Sequence, residues 1–358
     1  MSRQKRHIST SAAPIQSPHY ALLITLYSYY MNVLITGSSG EIGTNLGLKL
    51  LDRGDRVFGV DKRMNTWTDR IPTLLQDLSQ RFHNFVGGIG AASYPKPDVV
   101  VHLAANAKVH ELVEDPQRAL DNIILTFNVL EYCRANNVPI IFGSSREVYG
   151  DINRFDTSRT EIKEPAADFV FTESTYSASK VSGESLIYSY AQCYDIPYIV
   201  FRFSNVYGRY DNDIERMERV IPLFINKIGK DEQITIFGAE KTLDFTFVDD
   251  TVQGLVKGID ALTSKRVVNK TMNLACGSGY TLVQMANFIA ENLGKTINPI
   301  IEPTRPGEIT YYIADISEAR ELLGFEPTTT LPEGIKKAIA WQREFAGVTE
   351  EVKDKELA

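Results

Sequence analysis

Residues 37–43 read Gly-Ser-Ser-Gly-Glu-Ile-Gly, and this loop lies between an apolar β-branched run and a stretch of helical periodicity. The run before it, Asn32–Thr36, is NVLIT. The stretch after it, 41–53, carries Ile42, Leu46, Leu48, Leu50 and Leu51, and Gly54 stands where a C′ glycine ends a helix. In such a strand–loop–helix turn each glycine has a separate task. Gly37 allows the tight bend, Gly40 lets the backbone approach a pyrophosphate, and Gly43 lets the helix pack closely on the strand. The first helical turn, which includes Glu41 and Ile42, then offers free N–H groups and a partial positive charge to the phosphates. A dinucleotide is therefore the expected ligand. Asp61 closes a second strand at 56–60, where a carboxylate accepts hydrogen bonds from the adenosine ribose and repels a 2′-phosphate. That predicts NAD over NADP, although Lys62 and Arg63 follow directly and pull the other way. The pair Asp77-Leu78 lies either where the chain reaches the adenine or in an exposed loop.

The βα pattern then repeats. Unbroken apolar strands are expected at 98–103, 139–142 and 197–203, with helices at 117–135 and 176–194 between them. Continuous apolar strands alternating with helices indicate an α/β, doubly wound parallel sheet with right-handed crossovers. After residue 205 the alternation weakens. Shorter strands at 233–237, 271–275 and 309–314 mix with helices at 217–229, 249–262, 281–293, 316–323 and 332–345. The expected organisation is a dinucleotide-binding Rossmann domain over 31–204 and a smaller substrate domain, mainly 205–345, parts of which return to the first sheet. A charged tail follows at 346–358. Residues 1–30 are basic and lack Asp and Glu, which fits either a targeting segment or a loose extension. The strand that starts directly after Met31 favours the extension. The apolar stretch 21–30 is too short to span a bilayer, so no membrane partner is expected.

A net charge of -7 argues against a nucleic-acid partner, which needs a concentrated basic face. Hydrophobic residues make up 43%, enough for a sizeable core. The three cysteines, Cys133, Cys193 and Cys276, are odd in number and lack metal-ligand spacing. They read as reduced thiols of a cytoplasmic protein with no metal site.

Tyr176-Ser177-Ala178-Ser179-Lys180 has Tyr and Lys at i and i+4, hence on one helical face. An adjacent ammonium and the positive ring of an oxidised nicotinamide favour the phenolate over the usual pKa of about 10, making Tyr176 a candidate base. The motif follows a strand end with Ser144-Ser145 and a complete dinucleotide loop. Six segments now stand in one order: 37–43, His102-Leu103-Ala104-Ala105, the run from Ser144 to Gly150 (SSREVYG), Tyr176 to Lys180, the run from Arg202 to Gly208 (RFSNVYG), and Arg305-Pro306-Gly307-Glu308. Together they resemble the extended short-chain dehydrogenase/reductases, in the NAD-dependent epimerase/dehydratase group that acts on nucleotide sugars, over about residues 31–345.

The resemblance implies roles by position. Ser145 hydrogen-bonds the reacting sugar oxygen, Tyr176 is the base, and Lys180 supports it and holds the nicotinamide ribose. Ala104 and Asn122 match positions near NAD. Tyr149, Asn205 and Arg305 match substrate positions, the latter two at the nucleotide diphosphate. A homodimer formed through two helices per subunit is also implied. Departures are visible. Leu243 stands where the family usually has a nucleotide-holding Arg, Thr175 replaces a common Pro, and the loop 151–172 is longer than usual. Three reactions share the scaffold through a 4-keto sugar. The resemblance implies Asp-Glu at positions 146 and 147 for a dehydratase; here Glu147 is kept, but Arg146 replaces the Asp and has no neutral acid form to protonate a leaving hydroxyl. Glu147 within EVYGD resembles the decarboxylases, or is a loop carboxylate. The expectation is 4-epimerisation of a UDP-hexose, with dehydration or uronate decarboxylation as alternatives. A non-catalytic NAD-binding scaffold is the alternative of another class, and the joint presence of Ser145, Tyr176 and Lys180 counts against it.

Overall fold

A computed structural model describes residues 30–80, 95–151, 172–211 and 219–356. The expectations for residues 1–29 and for the loop 152–171 lie outside the described residues. In chain order the first elements are β1 (Asn32–Thr36), α1 (Glu41–Arg53), β2 (Arg56–Asp61), β3 (Thr73–Leu75), β4 (Val99–His102), α2 (Val109–Glu114) and α3 (Gln117–Asn136). They continue with β5 (Ile140–Ser145), a 3-10 turn (Arg146–Tyr149), α4 (Thr175–Tyr194) and β6 (Tyr198–Phe203). The second half holds β7 (Asn205–Tyr207), α5 (Val220–Gly229), β8 (Thr235–Phe237), β9 (Thr242–Phe247), α6 (Val248–Thr263) and β10 (Lys270–Leu274). It ends with β11 (Gly279–Thr281), α7 (Leu282–Leu293), β12 (Ile300–Glu302), β13 (Tyr311–Tyr312), α8 (Ser317–Leu323) and α9 (Leu331–Glu356).

The main sheet has seven strands in the order β10-β6-β5-β4-β1-β2-β3, and every pairing in it is parallel. Both faces are covered, which explains the unbroken apolar strands. In β1, Val33 and Ile35 face one core, with Leu46 and Leu50 of α1. Leu34 faces the other, with Val129 of α3, Phe142 of β5 and Ile187 of α4. Each such side chain, buried completely, contributes about 1.5–3 kcal/mol. The local signals act as the sequence implies. Gly54 caps α1 in the left-handed region at φ 101°. Ser174 accepts from Ser177 N and so opens α4 with a capping box.

Part of the second half returns to the main sheet. It is the strand expected at 271–275. As β10 it pairs in parallel with β6, from Lys270 beside Ile199 to Leu274 beside Phe203, and extends the main sheet. The helix before it, α6, packs on α1 and β6 and covers that side. The strand expected at 309–314 shortens to β13 beside β9. The rest of the second half forms a four-stranded sheet, β11-β9-β13 with β7 on β9, and a two-stranded sheet of β8 and β12.

Candidate active site

The sheet order reverses between β1 and β4, and in a doubly wound fold the crevice at the carboxyl ends of such strands is the ligand site. The glycine loop leaves β1 there, His102 ends β4, Ser145 ends β5 and Phe203 ends β6. Four of the six segments carried by the sequence pattern therefore meet along one edge.

The glycine loop is a tight cradle. Gly37 has φ +77°, and a Cβ on it stands 2.7 Å from the Ala104 nitrogen. A Cβ on Gly43 stands 2.1 Å from the Gly37 carbonyl oxygen. Neither position tolerates a side chain, so the cradle fits the close backbone approach that a dinucleotide phosphate needs. Asp61 accepts from Ser39 N at 3.0 Å and from Arg63 N at 3.2 Å, fixing the end of β2 against the loop. Lys62 is drawn to Asn106 Oδ1 at 3.1 Å. The other expected cofactor residues are placed less directly. Asn122 is 3% exposed. It accepts from Asn106 N at 2.8 Å and donates to Asn106 O at 3.0 Å and to Ser179 Oγ at 3.2 Å. It therefore braces the 104–106 segment against α4 instead of facing open space. Asp77 caps its own turn by accepting from Ser79 N and Oγ, and the Leu78 side chain is core. Glu41 turns away from the cradle into an ion-pair triad with Arg219 and Asp211. Burial, with the neighbouring Asp211, pushes its carboxyl up to about 8 against the pull of Arg219. Ile42 packs against the core that includes β1 and α1.

Ser145, Tyr176 and Lys180 come together as expected. The Ser145 side chain accepts from Glu147 N at 3.2 Å and acts on the Tyr176 phenol, favouring the phenolate. Lys180 Nζ donates to Gly143 O at 2.7 Å and lies 5.9 Å from the centre of the Tyr176 ring. The protonation differs from the expectation. Burial pushes Tyr176 up to about 12, outweighing the Ser145 side chain and the Arg146 and Arg219 charges that favour the phenolate. Burial also pulls Lys180 down to about 8, against the Glu184 carboxylate that favours its charge. The chain alone thus holds a neutral phenol beside a weakened ammonium. His102, held by Thr36 and Thr126 hydroxyls, is kept neutral by burial and then by the Lys180 charge, with a pKa of about 3.

Sequence reasoning missed the support beneath this helix. Glu184, one turn beyond Lys180, accepts from Arg202 Nε at 2.9 Å and Nη2 at 2.7 Å, from Ser144 Oγ at 2.6 Å and from Tyr188 Oη at 2.8 Å. The pair is buried and ties α4 to β5 and β6. Its sequence signal was a carboxylate on the same helical face as Tyr176 and Lys180.

On the substrate side, Asn205 lines a cavity of about 200 Å³ together with Lys108, His110, Asp211, Arg219 and Phe245. Arg305 is exposed, its guanidinium 3.8 Å from the Phe237 ring centre. Tyr149 is a correction. Its hydroxyl donates to Asn273 Oδ1 at 2.6 Å, its ring stacks on Tyr312, and it is 4% exposed, so it belongs to the core and not to a substrate surface. Leu243 is buried on β9. Two residues earlier, on the same side of the chain, Lys241 is buried and paired with Glu308, a cation near the position the Leu leaves neutral. Among the described residues no cluster of His, Cys, Asp or Glu could hold a metal ion, and no helix is long and apolar enough to cross a membrane.

Residues 33–275 match the NAD dependent epimerase/dehydratase family. A putative UDP-glucose 4-epimerase of Methanocaldococcus jannaschii is 30% identical over 319 residues, covering 87% of this chain and 98% of that one. Among solved structures, a UDP-glucose 4-epimerase of Thermotoga maritima with UDP-glucose is 28% identical with a TM-score of 0.78, covering 88% of this chain and 100% of the other. A UDP-glucuronic acid 4-epimerase of Bacillus cereus, in complex with UDP-glucuronic acid and NAD, is 26% identical with a TM-score of 0.77 over the same shares.

Proposed function

The chain belongs to the NAD dependent epimerase/dehydratase family, and from that premise we propose that it is an NAD-dependent 4-epimerase of a UDP-hexose. The observation that carries the reading is the meeting of Ser145, Tyr176 and Lys180 beside the glycine cradle. NAD, when bound, supplies an acceptor for the C4 hydride and, while oxidised, a positive charge near the phenol. Gly37, Gly40 and Gly43, with the first turn of α1 at Glu41 and Ile42, hold its phosphates. Asp61 takes the adenosine ribose, Lys180 the nicotinamide ribose, and the 104–106 segment braced by Asn122 lies alongside. Tyr176 takes the proton of the C4 hydroxyl, Ser145 orients that oxygen, and the Lys180 ammonium favours the phenolate. The proton returns from Tyr176 once the sugar has turned its other face. Asn205, Arg219 and Arg305 hold the nucleotide diphosphate, Arg through the fork that suits phosphate oxygens.

The substrate part takes residues 205–345 apart from α6 and β10, which complete the dinucleotide domain. The same reading includes a cytoplasmic homodimer formed through α3 and α4, where Leu120, Phe127 and Tyr194 are exposed. The test is incubation of the purified protein with NAD and UDP-glucose or UDP-galactose, with products separated by chromatography. Interconversion supports the reading, and no exchange at C4 with any UDP-hexose overturns it.

A further inference from the structure

His102 ends β4 in the middle of the main sheet, is 1% exposed, and takes no part in the chemistry proposed above. Both of its ring nitrogens meet a buried hydroxyl. Nδ1 is 2.6 Å from Thr36 Oγ1, and Nε2 is 3.2 Å from Thr126 Oγ1. The other bonds of those hydroxyls decide which nitrogen carries the proton. A threonine hydroxyl has one proton to donate and two lone pairs to accept with. Thr126 donates its proton to the Asn122 carbonyl at 2.8 Å, so toward His102 it only accepts. Nε2 therefore carries the N–H. Burial keeps the ring neutral, so it has one N–H, Nδ1 is a bare acceptor, and Thr36 donates to it. Thr36 Oγ1 then keeps a lone pair for the Ala104 N–H at 3.4 Å. The opposite tautomer, or an imidazolium, turns a second donor onto Thr36 and leaves a buried hydroxyl proton unpaired, at a cost in free energy. An imidazolium also puts a second cation at the Phe142 ring, which packs against His102 at 5.6 Å and already carries Lys180 Nζ over it at 5.1 Å.

We propose that His102, locked as the Nε2–H tautomer, is a positioning residue that ties the glycine cradle to α3 and so sets the backbone wall along which NAD lies. The inference rests on the reading above for the identity of the cofactor site. On one side, Thr36 directly precedes Gly37, and the Ala104 nitrogen that its hydroxyl receives is the atom 2.7 Å from a Cβ on Gly37. The bond therefore sets the spacing of two backbones that touch. On the other side, the chain of donors ends at the Asn122 carbonyl, and the Asn122 side chain continues the path. It accepts from Asn106 N at 2.8 Å and donates to Asn106 O at 3.0 Å, which holds the far end of the 104–106 segment. It also donates to Ser179 Oγ at 3.2 Å, and Ser179 donates to the Tyr176 carbonyl at 2.7 Å. Each hydroxyl on this path has one donor role and one acceptor role, so its bonds polarise in one sense and support each other. His102 is the member that joins β1 to α3, because its two nitrogens are the donor and the acceptor that the two threonines require.

The test has two arms, and neither uses a sugar, so its failure is distinct from failure of the epimerase reading. The first is NMR of the NAD-loaded protein with 15N-labelled histidine at pH 7, His102 being recognised by slow exchange of its buried N–H. The expected signature is a protonated Nε2 and a bare Nδ1. An Nδ1–H tautomer or an imidazolium overturns the proposal. The second arm is calorimetry with NAD on two variants of the full chain. His102→Leu removes both ring nitrogens and should weaken NAD binding by about fivefold, the fold-change of one hydrogen bond. His102→Asn places an amide oxygen where Nδ1 stood, so Thr36 still has its acceptor and the affinity should return to within about twofold of the unaltered protein. A residue that only fills space gives the same Kd for both variants, and that result overturns the proposal, as does an unchanged affinity in His102→Leu. Where His102→Leu does not fold, Thr36→Val takes its place, with the same fivefold loss expected and an unchanged affinity overturning the proposal.

Discussion

Replacing Lys180 by Met should make the fold more stable while abolishing most of the activity. The ammonium is 6% exposed, and burial pulls its pKa from 10.5 down to about 8. At about 1.36 kcal/mol for each pH unit, a charged Lys180 at pH 7 costs the folded state about 3 kcal/mol. Met has similar length and no charge to desolvate. The loss on the other side is the hydrogen bond to Gly143 O at 2.7 Å, worth about 1 kcal/mol. The Glu184 carboxylate is not stranded, because Arg202 still holds it. The net gain is about 2 kcal/mol at pH 7. It has a defined pH dependence. Below pH 8 the lysine is protonated whether folded or unfolded, and the penalty is complete. Between pH 8 and 10.5 the folded protein releases the proton first, the unfolded chain holds more protons, and the native form of the unaltered enzyme recovers stability as pH rises. The gap between Lys180→Met and the unaltered protein should therefore narrow from pH 7 to pH 10. The assay is urea denaturation of both proteins, stripped of dinucleotide, at the two pH values. A Lys180→Met protein less stable at pH 7, or a gap of the same size at pH 10, refutes the assignment of Lys180 as a buried cation held at a cost.

Other outcomes follow from the same geometry. Tyr176→Phe should lower turnover by about 10²–10⁴-fold, the range of a positioned acid/base group, with NAD affinity nearly unchanged. Near-normal turnover sinks the proposed role. NAD should bind more tightly than NADP in calorimetry, because Asp61 stands at the end of β2 beside the glycine loop. Equal or tighter NADP binding shows that Lys62 and Arg63 override the carboxylate. Glu184→Ala leaves the Arg202 guanidinium buried without its partner and should destabilise the protein by about 3–5 kcal/mol in denaturant unfolding. A loss under 1 kcal/mol contradicts the tie between α4 and β6.

The glycine loop and the Tyr176–Lys180 pair were legible because their chemistry demands particular residue types at local spacing. A strand, a turn that tolerates no Cβ and a helix start must be adjacent in the chain, and i to i+4 is a fixed distance on a helix. What escaped depends on partners far away in sequence. The Glu184–Arg202 pair spans 18 residues and the Tyr149–Asn273 hydrogen bond spans 124. No periodicity marks such pairings. Tyr176 shows the physical limit most clearly. Spacing identifies Lys180 as its neighbour and hence predicts a lowered phenol pKa. Spacing says nothing about how much water each group has lost. Both are buried, so the phenol moves up and the ammonium down, each toward its neutral form. Only an added positive charge or a bound substrate oxygen can move the pair back. The protonation of the pair is therefore a property of the local dielectric and not of the order of the residues.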